Sequence, residues 1–215
     1  MINYHEEALK FIQTKDIEQA LAVYDNALKQ NPNDPLIYTN IAQLVLSTGE
    51  IDKAIELYEK AIQLDEKCAA AYYGLGNVYY GIKDFAEAVG LYQKAISNGL
   101  NDSDVHFMLG MSFVNVKQDR FALIYLLRAT ELNNSDSEAL FQYGMCLARL
   151  GNFVEAIKVF KNTLNLDGNN ADVYYNLGVA FYNQGNLEDS KHCLENAINL
   201  NPNHKYAIKA LEILN

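Results

Sequence analysis

Four histidines and three cysteines offer the most reactive side chains in this 215-residue chain. His5, His106, His192 and His204 are far apart in the series. His5-Glu6-Glu7 does not extend into an H-E-x-x-H zinc helix, because residue 9 is Leu9. No second ligand stands at helical spacing from His5 or His204, so both are expected at the surface and not on a metal. Cys68, Cys146 and Cys193 form neither a CxxC pair nor an even-numbered disulfide framework. They read as small apolar or surface residues of a reducing compartment, which points to the cytoplasm. No G-x-S-x-G elbow, phosphate loop or dinucleotide fingerprint is present. The sequence therefore gives no support for an enzyme, a metal or a cofactor, and binding is the chemistry left to explain. A hidden enzyme would show itself by turnover lost on replacing His5 or His106.

The elements that must position a binding surface are written in a 34-residue period, opened by Met1, Pro35, Ala69, Ser103, Ser137, Ala171 and Lys205. A period of this length marks stacked supersecondary units. The small residues Ala8, Ala42, Gly76, Gly110, Gly144 and Gly178 share position 8 of the unit, and Ala20, Ala54, Ala88, Ala122, Ala156 and Ser190 share position 20. Ala27, Ala61, Ala95, Ala129, Thr163 and Ala197 share position 27. Large residues sit between them, at position 11 (Phe11, Val45, Tyr79, Phe113, Leu147, Phe181) and position 24 (Tyr24, Tyr58, Tyr92, Leu126, Phe160, Leu194). Spacings of three and four place these sites on one face of each of two helices, at about positions 1–14 and 17–30 of the unit. The turn between them carries Gly49-Glu50, Lys83-Asp84, Gly151-Asn152 and Gly185-Asn186. Glycine permits the helix stop and the polar residue can cap the next helix.

Half the residues are apolar, enough for a continuous helix–helix core, and the three prolines, Pro32, Pro35 and Pro202, fall at inter-unit turns. The net charge of −10 disfavours nucleic acid and anionic membrane surfaces as partners. No apolar run approaches the roughly 20 residues of a bilayer span. The opening MINYHEEALKF is acidic, so it reads as part of the first unit and not as a targeting peptide.

Residues Ala71–Tyr80 (AYYGLGNVYY) with Phe85–Ile96 (FAEAVGLYQKAI), and Val173–Asn186 (VYYNLGVAFYNQGN), carry a clear resemblance to the tetratricopeptide repeat family. The resemblance extends over units 1–34, 35–68, 69–102, 103–136, 137–170 and 171–204, with 205–215 left as a capping helix. It implies an all-α, right-handed superhelical solenoid of six helical hairpins. The first unit departs from the pattern at Glu7 and Ala8. The fourth departs at His106, which falls on a core site and is expected as a buried, satisfied ring, and at the glycine-free turn Lys117–Arg120. Ala69–Tyr80, Phe107–Gly110 and Ser135–Ala148 further resemble the small stand-alone repeat proteins of the YrrB type in Gram-positive bacteria. Those are cytoplasmic, and the resemblance implies scaffolding among components of tRNA thiolation.

The family's concave groove is lined by the first helix of each unit. Carried over, it places Tyr73, Asn77, Tyr80, Phe107, Met108, Met111, Asn115, Phe141, Gln142, Met145, Arg149, Tyr175, Asn176 and Tyr182 in a peptide-binding groove. Tyr73, Asn77, Tyr80, Tyr175, Asn176 and Tyr182 are common family residues and could equally be generic helix residues. Phe107, Met108, Met111, Phe141 and Met145 are more distinctive: either an exposed, adaptable apolar patch for a partner or internal packing. Asn77, Asn115, Gln142 and Asn176 are expected to donate to a ligand backbone. Arg149 either clamps a ligand carboxylate or pairs with an acidic neighbour. The Lys and Arg pattern of the family's carboxylate clamp is missing, while Asp102, Asp104, Asp136, Glu138 and Asp172 rim the groove. The implied partner is a protein or peptide with an apolar centre and basic flanks. The alternative is a homo-oligomer formed through the groove or the terminal faces.

Overall fold

The computed structural model describes residues 4–214, and among them the secondary structure is helical throughout. Residues 1–3 of the first expected unit, and Asn215 of the expected capping helix, lie outside the described residues. The chain divides into two compact units, Met1–Asn101 and Asp102–Asn215. The first holds α1 (Tyr4–Gln13), α2 (Ile17–Gln30), α3 (Pro35–Ser47), α4 (Ile51–Leu64), α5 (Ala69–Gly81) and α6 (Phe85–Ser97). The second holds α7 (Ser103–Asn115), α8 (Asp119–Leu132), α9 (Ser137–Arg149), α10 (Phe153–Leu166), α11 (Ala171–Asn183), α12 (Leu187–Leu200) and α13 (Lys205–Leu214). Each odd helix pairs with the even helix that follows it, and successive hairpins stack within each unit as in an α-solenoid.

Side-chain caps set most helix starts. Asp34, Asp102, Asp136 and Asn170 accept backbone N–H bonds at the first turns of α3, α7, α9 and α11. Asp16, Asp84 and Asn186 do the same for α2, α6 and α12, whereas Glu50, Gln118 and Asn152 form no side-chain cap. The intra-hairpin turn repeats one backbone conformation whatever residue occupies it. Gly49, Gly151 and Gly185 have φ of 88°, 78° and 77°, and Lys15, Lys83 and Lys117 have φ of 60°, 67° and 61°. The glycine-free turn of the fourth hairpin therefore keeps the geometry and carries left-handed strain at Lys117.

The small residues serve side-chain insertion more than backbone contact. A Cβ on Gly76, Gly110 or Gly144 would lie 2.7, 2.8 and 2.6 Å from Tyr92, Leu126 and Phe160, the large residue of the same hairpin's second helix. Gly74, which the period did not single out, is buried against the ring of Tyr58 from the preceding hairpin. At the end of the second unit, α13 packs Ala207, Ala210, Leu211 and Leu214 around Leu194 and Ala197. Glu212 is exposed at the place where the six hairpins bury Ala or Gly. No helix among the described residues is long and apolar enough to cross a membrane.

Candidate peptide-binding surface

In the second unit α7 touches α9, α9 touches α11 and α11 touches α13, so the odd helices form one connected series. Phe107, Met108 and Met111 on α7, and Phe141, Gln142 and Met145 on α9, come to neighbouring helices of this series. The five apolar members are half-buried, not fully exposed as a free-standing patch would be. Phe141 tilts onto Phe160 at 6.1 Å between centroids, and both Phe141 and Met145 pack against the core built on Leu147, Phe160 and Leu177. Phe141 and Met145 thus support the stack with part of their side chains and leave the rest accessible. Tyr182 is more open, 49% exposed on α11.

The amides face their own helices. Asn115 Nδ2 donates to the Met111 carbonyl at 2.8 Å, Asn176 Nδ2 to the Asp172 carbonyl at 2.8 Å, and Gln142 Nε2 to Glu138 Oε1 at 2.8 Å. These bonds are exposed and weak, and each uses one of the two hydrogens of its amide. Of the two readings of Arg149, the structure shows the ion pair: Nε meets Asp119 Oδ1 at 2.8 Å with both side chains about a third exposed, at 33% and 28%. Asp119 also receives the Cys146 thiol on its backbone carbonyl at 3.1 Å, which ties α8 to α9.

In the first unit the expected residues lie on α5. Tyr92 Oη donates to Asn77 Oδ1 at 2.7 Å, Tyr73 tilts against Tyr92 at 5.8 Å, and Tyr80 meets Phe85 edge-on at 5.1 Å. Burial, with Tyr73 and Tyr80 nearby, holds the Tyr92 phenol protonated well above its ordinary range, so it remains a donor. A cavity of about 320 Å³ that composition did not flag lies among His5, Leu9, Ile12, Tyr24, Asn40 and Gln43, between α1, α2 and α3. His5, Leu9, Ile12, Asn40 and Gln43 occupy the same odd-helix positions as the predicted site, but without the phenylalanine and methionine signal that drew attention to α7 and α9.

Most of the reactive side chains are buried. His204 is not at the surface: it is 6% exposed, and its Nδ1 accepts the Ala207 N–H at 3.1 Å as the cap of α13. That fixes the proton on Nε2, which stands 3.1 Å from Asp172 Oδ1. His106 is buried and stacks on Tyr125, and burial, with Arg128 adding to it, lowers its pKa. His5 is exposed with Nδ1 at 3.2 Å from the Tyr24 hydroxyl. All three cysteines are buried; burial pushes the Cys193 thiol up to about 11 and raises Cys146 as well. Neither thiol is ionised at neutral pH, which removes its nucleophilicity. Among the described residues no group of three or more His, Cys, Asp or Glu could hold a metal ion.

Models of the tetratricopeptide repeat match residues 11–59, 69–98 and 171–204, and a further repeat model matches 44–83 and 144–185. The crystal structure of YrrB, described as a repeat protein of this kind with an unusual peptide-binding site, superposes with a TM-score of 0.85. It shares 39% identity over 88% of this chain and 97% of that one. The chain belongs to the tetratricopeptide repeat family. Two further solved structures extend the likeness in fold alone. PilF of Pseudomonas aeruginosa matches at TM-score 0.80 and 20% identity, covering 98% of this chain and 96% of its own. MamA matches at 0.74 and 21%, covering 79% and 92%. No curated protein matches the chain in sequence.

Proposed function

We propose that the chain is a non-enzymatic scaffold that binds peptide segments of other proteins along the odd helices of its second unit. The observation that carries this reading is the connected series α7–α9–α11 with half-buried Phe107, Met108, Met111, Phe141 and Met145 on it. Half-burial suits a binding surface: each side chain is held by its own core on one side and offers apolar area on the other, so little order is lost on binding. Methionine adapts its shape to different partners. The family and the relative with a peptide-binding site support the same reading. Exposed carboxylates at Asp102, Asp104 and Glu138 favour a ligand with basic flanks, and the pairing of Arg149 with Asp119 argues against a carboxylate as the principal anchor. The resemblance to YrrB-type proteins extends the proposal to tRNA-thiolation components as partners. Resemblance alone supports that extension, and direct titration of those components would decide it.

The test is selection of peptides from a displayed random library, followed by calorimetry on the parent, a Phe107→Gln/Met111→Gln variant, and a Leu166→Gln control. Leu166 is 47% exposed on α10, an even helix. The variant should lose at least about tenfold in affinity, the loss of roughly one buried side chain, while the control keeps it. Equal binding by all three places the site elsewhere.

A further inference from the structure

We propose that the exposed face of α8 is a docking surface in its own right, and that its occupant is an amphipathic helix of a partner protein with aspartates or glutamates at one end. This goes beyond the peptide-binding reading: it concerns an even helix and none of the residues assigned to the odd-helix surface.

The repeat shows what is unusual about α8. Phe121, Ile124 and Leu127 are 54%, 60% and 39% exposed. Every other hairpin carries charged, polar or small residues at these three positions, such as Lys53, Glu56 and Glu59 in the second and Glu155, Lys158 and Lys161 in the fifth. Spaced three apart, the apolar side chains form one ridge along the helix. Isolated exposed apolar residues are ordinary, but three in one row mark a contact site. The ridge is also held in place. Phe121 stacks on Phe113 at 5.4 Å between centroids, Phe113 on Tyr125 at 5.5 Å, and Tyr125 on His106 at 6.1 Å. Phe121 thus ends a series of ring contacts that begins at buried His106. A ring fixed in this way loses little freedom on contact.

Electrostatics select the occupant. Lys117 and Arg120 are exposed at the N-terminal end of the ridge, and no acidic side chain among the described residues forms an ion pair with either. Of the acids nearby, Glu131 is taken by Arg128 at 3.0 Å and Asp119 by Arg149 at 2.8 Å. A hollow of about 340 Å³ adjoins Phe121 between Lys117, Arg120 and Leu150. On a chain of net charge −10, this face therefore offers two cations beside an apolar ridge, which complements carboxylates at the end of an apolar stripe. A helix meets such a ridge at least cost. Its backbone hydrogen bonds are internal, and the grooves between its side-chain rows accept the ridge. An extended strand on the same face would set backbone N–H and C=O groups against apolar side chains. A second copy of the chain fits less well: a twofold pairing of α8 centred on Ile124 sets Arg120 opposite Arg128, each four residues from the centre.

The experiment is selection from a displayed library of amphipathic helices on the full chain, with counter-selection against Ile124→Lys/Leu127→Lys. That variant installs the residue type the fifth hairpin already holds at both positions, Lys158 and Lys161, and removes the ridge while keeping the positive charge. Recovered helices should carry a stripe of leucine, isoleucine or phenylalanine and an acidic end. In calorimetry the lysine variant should lose at least about tenfold in affinity for them. Arg120→Asp, the residue type of Asp52 in the second hairpin, should lose severalfold and bind with a weaker dependence on salt. Phe107→Gln/Met111→Gln should bind these helices like the parent, which separates this surface from the odd-helix one. Failure to recover any helix that distinguishes the parent from the lysine variant overturns the proposal, as do recovered helices with basic or uncharged ends. Two further results overturn the occupant. The parent sediments with phosphatidylserine vesicles and the lysine variant does not, which gives the face to a membrane. Or the parent self-associates in light scattering and the variant does not, which gives it to a second copy.

Discussion

Replacing two helical glycines by alanine should shift stability in opposite directions. Gly90 lies in the middle of α6, exposed, with nothing within 4 Å of the place a Cβ would occupy. Gly90→Ala gains only the helix preference of alanine over glycine, about 1 kcal/mol at most. Gly144→Ala gains the same preference on α9 but sets a Cβ at 2.6 Å from Phe160 Cε1 and 2.9 Å from its Cδ1. The ring cannot swing aside, because Phe160 is 0% exposed and Phe141 packs at 6.1 Å from its centroid. Overpacking of this kind costs about 1–3 kcal/mol. Subtracting the propensity gain leaves Gly144→Ala destabilised by up to about 2 kcal/mol. Urea unfolding followed by helical circular dichroism reads both as shifts of midpoint at constant slope. In thermal melts the pair should separate by roughly 2–12 °C, the overpacking cost of about 1–3 kcal/mol at about 2–4 °C per kcal/mol for a chain of this size. Gly144→Ala at or above the stability of the parent would refute the claim that a side chain of the second helix inserts over the glycine of the first.

Three further outcomes follow from particular residues. Lys117 holds φ of 61°, so Lys117→Gly should relieve left-handed strain and stabilise by about 0.5 kcal/mol after the unfolded-state cost of glycine, read from the urea midpoint. Burial lowers the His106 pKa, so on acidification the unfolded chain takes the proton first, from about pH 6.5 downward. Stability should fall from there until the native ring also protonates, and His106→Gln should flatten that part of the profile. Ending the chain at Asn203 removes α13 and uncovers Leu194, which alone forfeits about 1.5–3 kcal/mol and should promote association seen by light scattering. A truncated chain as stable and as soluble as the parent would contradict the capping role.

The helices were legible because a packed hairpin fixes which positions are small and which are large, and the 34-residue spacing repeats that constraint. Helix starts at Pro35, Ala69, Ser103, Ser137, Ala171 and Lys205 coincide with the period. The left-handed turn was legible at Gly49, Gly151 and Gly185 but not at Lys15, Lys83 and Lys117, since packing on both sides fixes the turn whatever residue fills it. Side-chain partners were much less legible. His204 finds Asp172 32 residues away and Arg149 finds Asp119 30 residues away, so both pairs depend on how successive hairpins stack. Helical spacing names the face a residue occupies and cannot say whether a neighbouring helix covers half of it. That is why Phe141 and Met145 could be read from sequence either as an exposed patch or as internal packing, and in the fold both pack partly buried against the core.

The proposed binding surface can be read out directly, because three of the four methionines in the chain, Met108, Met111 and Met145, belong to the residues proposed to form it. With methyl-labelled methionine, a library-selected peptide should move these three signals in proportion to the bound fraction measured by calorimetry. Saturated binding that leaves all three in place would contradict the account.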